Sequence, residues 1–236
     1  STDNTATVAE SFPFVRVLRG AKGRAVQMNR GAEIANAPAL WFLHADTTLP
    51  DPNTVDALLG ALRDPSVECG AFQFHLRGDD GYFRFVTTMV NFRARAMQRP
   101  FGDQGIFVRT ATFHRIGGYR GLEFCEDLDL VLRLRRVGRF QLLPQTVETS
   151  ARTWQAHGKL RITAWHLAVL ARYEWKRLTG TLPPTHAEAL LAQARSVPPA
   201  VPAQPADALA GDAAGSTVGG GEGVEAREAD PARQPS

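Results

Sequence analysis

The sequence predicts an α/β domain built on a mostly parallel sheet flanked by helices. Three observations carry that prediction. Apolar runs of strand length alternate with segments of helical periodicity, the pattern of strand–helix–strand units. The run Leu40 to Leu43 halts at His44 and Asp46, and Leu49-Pro50 turns the chain away. Ligands of open α/β sheets bind just beyond the carboxyl ends of such strands. A second acidic group, Glu126-Asp127-Leu128-Asp129, opens another periodic segment far along the chain.

In order, residues 14–18 (Phe14 to Leu18) form a short strand candidate. Gly20 to Gly23 makes a turn, ringed by Lys22, Arg24 and Arg30. Residues 24–36 read as a helix, with Ala25, Met28, Ala32 and Ala35 at helical spacing. The strand at 39–43 follows. Asn53 is an N-cap candidate for a helix carrying Leu58, Leu59 and Leu62, and Pro65 ends that region. Residues 68–76 read as a strand of imperfect alternation, and 78–81 as a turn. Residues 82–98 are helical; Arg93, Arg95 and Arg99 there suit a solvated face first, a membrane surface or a phosphate second. The loop Phe101-Gly102-Asp103-Gln104-Gly105 leads into a strand at 106–109, and glycines there let backbone approach a ligand closely. Gly117-Gly118-Tyr119 stops a short helix. Glu126 opens the next, with Leu130, Leu134 and Val137 inward and Gly138 as C-cap. A strand at 140–143 precedes Pro144, and 149–154 read as a loop. Residues 160–178 form an amphipathic helix rich in aromatic and basic residues, docked on its own domain or lying in a membrane interface.

Two regions follow from composition. Residues 1–180 hold the domain; residues 181–236 form a Pro-, Ala- and Gly-rich tail, with one or two helical turns at 186–195 and disorder expected from Val197. The net charge of +3 conceals an asymmetry. From Val197 onward six acidic residues face two arginines, so the tail carries −4 and the body +7. A basic body suits an anionic ligand such as a nucleotide, a phosphate or a lipid surface. The arginines are dispersed and no nucleic-acid motif stands among them, so nucleic acid is not an expected partner. Cys69 and Cys125 have neither metal spacing nor a disulfide framework and fit a reducing, cytoplasmic setting; Cys125, beside the acidic group, is also weighed as a catalytic thiol. No apolar run approaches the ~20 residues that span a bilayer.

The acidic residues have plain readings. Asp46 can be the polar turn after a buried strand, and acids in a first helical turn are favoured by the helix dipole by ~0.3–1 kcal/mol each. That account does not cover three carboxylates within four residues. A carboxylate at a strand end can hold a divalent cation that neutralises a diphosphate. A second can take a proton from a hydroxyl, and basic groups can steady departing phosphates. The combination describes group transfer from a nucleotide donor.

Several stretches carry a resemblance. They are Gly23 to Ala32, Trp41 to Pro50, Phe101 to Phe107, Ile116 to Tyr119, Glu126 to Leu130, Arg133 to Arg139 and Thr149 to Arg152. In order and spacing they resemble a family 2 glycosyltransferase of the GT-A (Rossmann-like) fold, and within it the bacterial radical-SAM/selenodomain-associated transferase 2 subgroup. The resemblance implies an inverting sugar transfer from a nucleotide-sugar donor, a UDP-sugar, to a hydroxyl acceptor that is a lipid, an isoprenoid or a saccharide. Mg or Mn would be the cofactor. Asp46 matches the last acid of the metal-binding DxD motif, and His44 stands where the first acid is usual. Asp127 matches the general base, with Glu126 beside it. Arg24 and Asn29 border the nucleotide, and Gly102, Asp103, Gln104 and Asp129 line the acceptor side. Arg152 and Trp154 resemble the closing motif near the diphosphate, although Thr153 stands where Arg is common. The family's first strand, with its Pro-x-x-Asn-Glu turn, and its base-recognising second strand have no match, so the chain is expected to lack them. The implied setting is cytoplasmic, at the inner face of the cell membrane if the aromatic-basic helix makes peripheral contact. A nucleotidyltransferase, an inactive fragment and a non-catalytic nucleotide- or partner-binding module remain as alternatives.

Overall fold

The computed structural model describes residues 4–78 and 80–196. The order of elements is α1 (Thr5–Glu10), α2 (Arg24–Ile34), β1 (Ala39–Phe42), β2 (Thr47–Thr48), α3 (Thr54–Ala61), β3 (Val67–Arg77), α4 (Gly81–Met97), a 3-10 turn (Gly102–Gln104), β4 (Ile106–Arg109), α5 (Thr110–Arg115), α6 (Glu126–Leu134), β5 (Arg139–Ser150), α7 (Arg152–His157), α8 (Lys159–Leu178) and α9 (His186–Ser196). The five strands form one sheet in the order β1-β4-β3-β5-β2.

The α/β class and the flanking helices are as expected; the mostly parallel pairing is not. Only β3 and β5 run parallel, over residues 67–77 and 139–150. β4 enters between β1 and β3 antiparallel to both, with Phe42 opposite Ile106 and Gly70 opposite Phe107. β2 meets β5 antiparallel through Thr47 and Thr149. Alternating strands and helices predict parallel pairing because a crossover returns the chain to the starting end. Here α4 and the 3-10 turn deliver β4 at the end where β1 finishes, so β4 runs back.

Helices cover both faces of β3, which explains its imperfect alternation: a strand buried on both faces reads as a near-continuous apolar run. Cys69 and Ala71 face α2, α5 and α6 in a cluster with Ala25, Phe113 and Leu130. Phe72 faces the other way, against Leu58 of α3, Phe107 and Val147. Rings such as Phe72 and Phe107, fully buried here, contribute about 1.5–3 kcal/mol each relative to exposure. Gly70 sits at a close approach, since a Cβ there would run into the Gln141 carbonyl oxygen and the Phe107 ring. Phe74 and Leu76 continue under α4 with Phe83 and Trp154. Tyr173 of α8 packs with Cys125 and Leu128 of α6.

Three local expectations are corrected. Residues 14–18 form no strand: the segment has no pairing partner among the described residues and Phe14 is almost fully exposed. β5 does not stop before Pro144 but continues to Ser150. Proline removes one ladder donor, and the sheet absorbs this with a register shift that pairs Phe72 with Leu143 but Gln73 with Thr146. The loop expected at 149–154 is therefore the end of β5 and the start of α7. Past residue 180 the chain docks back through α9: His186 contacts Glu33 at 2.8 Å, and the Ala187 N–H donates to the Gly117 carbonyl at 3.2 Å. The disorder expected from Val197 falls outside the described residues.

Candidate active site

The first turn of α6 holds Glu126, Asp127 and Asp129, all buried. Cys125 precedes it in the left-handed region, φ 60°, and turns the chain into the helix. Burial pushes the Cys125 thiol up to about 12, with the charges of Asp127 and Glu126 adding to the effect. The thiolate that a catalytic nucleophile needs is thus disfavoured at Cys125.

Asp127 is gripped by backbone. Its Oδ1 accepts from the Leu128 N–H at 2.7 Å and its Oδ2 from the Gly102 N–H at 2.6 Å. Gly102 is wedged in place: a Cβ would lie 2.8 Å from His44 Nε2 and 3.0 Å from Asp127 Oδ2. Glycine is required by this approach, which brings the end of β1, the 3-10 turn and the start of α6 together.

Glu126 is 1% exposed in its side chain and meets Arg24, which is half exposed at the N-terminus of α2. The Arg24 Nε lies 2.8 Å from Oε1, and Nη2 donates to Oε2 at 3.1 Å. Burial raises the Glu126 carboxyl to about 7, reinforced by Asp127 and opposed by Arg24. Burial alone would lower the Arg24 guanidinium; the Glu126 and Asp127 charges outweigh it and the group is raised.

Asp103 lies on the same 3-10 turn as Gly102. Burial, then the Asp127 charge, raises it to about 7, while Arg93 and Arg24 oppose the shift. Its Oδ1 is shielded and has no hydrogen-bond partner among the described residues. Arg93, expected on a solvated face, turns inward: its guanidinium lies 3.7 Å from the centre of the Phe101 ring and its Nε donates to the Arg99 carbonyl. Its spacing from Val86 and Val90, on the inward side of α4, carried that signal.

His44 leaves β1 beside Gly102. Burial, then Arg24, lowers it, and the charges of Asp127 and Asp46 pull the other way. The His44 carbonyl accepts from the Thr47 N–H at 3.1 Å, closing the turn that carries Asp46. Asp46 is exposed and makes no hydrogen bond or ion pair among the described residues.

The other expected site residues stand behind or apart from this group. The Asn29 amide is spent on Tyr119: Nδ2 donates to its carbonyl at 3.0 Å, and Oδ1 accepts from its N–H at 2.8 Å. Gln104 is a buried strut that donates to the Phe72 carbonyl at 3.0 Å. Asp129 accepts from Arg133 Nε at 2.8 Å, with Arg120 Nε at 3.4 Å and the Tyr173 hydroxyl at 3.3 Å. Arg133 in turn donates to the Ile116 and Gly118 carbonyls, so Asp129 anchors the Gly-Gly-Tyr turn. Arg152 is exposed at the start of α7, three residues past Thr149, the partner of Thr47 in the β2 pairing. Trp154 is half-buried, its ring 5.3 Å from His166 and its Nε1 without a partner among the described residues.

Among the described residues no group of three or more His, Cys, Asp or Glu side chains is placed to hold a metal ion. Asp46 and His44 do not make a cage. Of the two, only Asp46 supplies the carboxylate oxygen that a hard divalent cation prefers.

The flanked sheet thus carries an open carboxylate just past the end of β1 and buried carboxylates at the start of α6. The family model for glycosyl transferase family 2 matches residues 1–123, more than half of the chain, and the chain belongs to that family. The match spans Arg24, His44, Asp46 and the turn Gly102 to Gln104, and ends before α6. No curated protein matches the chain.

Proposed function

We propose that this glycosyltransferase moves a sugar from a nucleotide-sugar, a UDP-sugar, to a hydroxyl acceptor with inversion, and that Asp127 is its general base. The observation that carries the reading is the placing of Asp127: its carboxylate is held by the Gly102 and Leu128 N–H groups and shares its surroundings with His44, Arg24 and Asp103. The acceptor oxygen attacks the anomeric carbon, the bond from that carbon to the diphosphate oxygen breaks, and the hydroxyl proton passes to Asp127. General-base catalysis of this kind contributes about 10²–10⁴-fold. Arg24, half exposed beside the pair, offers positive charge to the leaving diphosphate. Asp46, with His44 beside it, would hold a Mg or Mn ion that neutralises the diphosphate. Arg152 and Trp154 border that side, Asn29 positions Tyr119 behind it, and Gly102, Asp103 and Gln104 shape the acceptor side. Glu126 orients Arg24, and Asp129 anchors the helix. The resemblance to the bacterial radical-SAM/selenodomain-associated subgroup and a cytoplasmic setting belong to the same reading, as does a lipid, isoprenoid or saccharide acceptor.

A second reading, a non-catalytic nucleotide-binding module, is favoured by one observation: both oxygens of Asp127 already have backbone donors. Calorimetry with UDP, with and without Mn, separates the readings when combined with release of UDP from UDP-glucose. Wild type binds UDP in a Mn-dependent manner. Asp46→Ala loses that dependence without a change in melting temperature. Asp127→Asn keeps UDP binding and loses about 10²–10⁴-fold in turnover. Turnover unchanged in Asp127→Asn removes it as the base; folded protein without UDP binding sinks the donor assignment.

A further inference from the structure

Helices α4 and α8 lie side by side and run in the same direction. Near their starts the Tyr82 hydroxyl bonds to Thr163, and Lys159 pairs with Asp80; near their ends Arg99 pairs with Glu174 at 3.1 Å. Each packs one face inward. α4 buries Phe83 and Ala94, and α8 buries Tyr173 with Val169 and Leu170 beside it.

The outward faces are apolar as well. On α8, Leu160, Ala164, Leu167, Ala171, Trp175 and Leu178 follow one another at spacings of three and four and are all exposed. The four large ones are between 63% and 79% exposed. On α4, Phe85, Met89 and Phe92 form a second stripe, with Phe85 60% and Phe92 63% exposed. A helix that docks on its own domain needs one apolar face; these have two.

Charge decides what covers the second. Arg84 and Arg95 of α4 and Arg161 and Arg172 of α8 are exposed and form no ion pair among the described residues. α4 contains no acidic residue, and the one on α8, Glu174, is held by Arg99 and Arg177. A second copy laid on this face would set unpaired arginines against unpaired arginines. An anionic bilayer supplies both an apolar layer for the stripes and negative headgroups for the arginines. No helix among the described residues is long and apolar enough to cross a membrane, so contact would be in the plane of the surface.

We propose that the outer face of α8, with the neighbouring stripe of α4, is a docking surface for an anionic lipid bilayer. The proposal adds a partner to the transferase reading but rests on helix geometry and charge, not on it.

The test is sedimentation of the full chain with phosphatidylcholine vesicles, with and without phosphatidylglycerol. UDP binding is measured in parallel. Wild type is expected to sediment with the anionic vesicles, to be released by salt, and to show a blue shift in tryptophan emission. Leu167→Ser/Trp175→Ser should weaken partition by roughly tenfold or more. Arg161→Glu/Arg172→Glu should abolish the preference for phosphatidylglycerol. Both variants should keep wild-type melting and UDP binding. The proposal is overturned if folded wild type ignores anionic vesicles at low salt. It is equally overturned if Leu167→Ser/Trp175→Ser instead abolishes a concentration-dependent self-association, which would give the stripe to a second copy. UDP binding without lipid binding leaves the transferase reading intact; lipid binding without UDP binding leaves only the docking surface.

Discussion

Two acidic regions of this molecule solve opposite problems. The carboxylates of α6 are buried, and each has partners from elsewhere in the fold: Arg24 for Glu126, the Gly102 N–H for Asp127, and Arg120 and Tyr173 for Asp129, which also pairs with Arg133 one turn along the same helix. Asp46, on the turn after β1, is exposed and has no hydrogen bond or ion pair among the described residues. Buried charge must be matched by the protein itself, because removing it from water costs several kcal/mol per ion. An exposed carboxylate stays hydrated until a ligand arrives. The α6 group is therefore held by the fold, whereas Asp46 keeps its contact with water. His44 stands between them and feels both.

Breaking the buried side should show that contrast most strongly. Asp129→Ala removes the carboxylate that neutralises Arg133 and Arg120 and is expected to destabilise the protein by about 3–5 kcal/mol. Urea denaturation measures it; a loss near zero would mean that the Gly-Gly-Tyr turn does not depend on this clamp. Gly102→Ala should cost less, about 1–3 kcal/mol, because the new Cβ presses on His44 and Asp127 rather than emptying a site. Its mark should be selective: turnover falls further than UDP affinity, since Asp127 loses its alignment while Asp46 is untouched. Equal losses in both would place Gly102 on the donor side instead.

The smallest effect lies in pH. The Glu126 carboxyl is raised from 4.5 to about 7, so the folded chain holds more protons than the unfolded chain between those values. This contribution to stability is complete below about pH 4.5 and is lost as pH rises toward about 7. Asp103, raised to about 7, has the same sign. Glu126→Gln should flatten that slope in urea midpoints across the window while Asp103 keeps part of it. Wild-type stability that rises across the window would show that Arg24 prevails over burial.

Local chemistry made much of this legible in the sequence. The abrupt end of the apolar run at His44, the acids opening α6 and the glycine of the 3-10 turn are short-range signals, and they mark three of the elements that meet at the site. What could not be read depends on distant partners. Neither the pairing of the Asn29 amide with Tyr119 nor that of the Gln104 amide with the Phe72 carbonyl leaves a mark in the local sequence. Residues 14–18 have strand propensity but no neighbour to pair with among the described residues, and propensity alone does not make a strand. The direction of β4 depends on how the chain returns from α4, which no periodicity encodes. α1, with no buried residue, had no apolar face to reveal it.

The long seams of the site bear on when it comes into being. Arg24 and Glu126 are 102 residues apart, and Asn29 and Tyr119 are 90 apart. Closing a loop of that length costs roughly 4 kcal/mol of chain entropy, which must be met before these contacts return anything. Helices and neighbouring strands can gather early; the carboxylate nest cannot exist until the sheet has drawn both ends of that span together. Refolding monitored by helix signal and by ligand capture should therefore run on two clocks, with competence for the ligand arriving last.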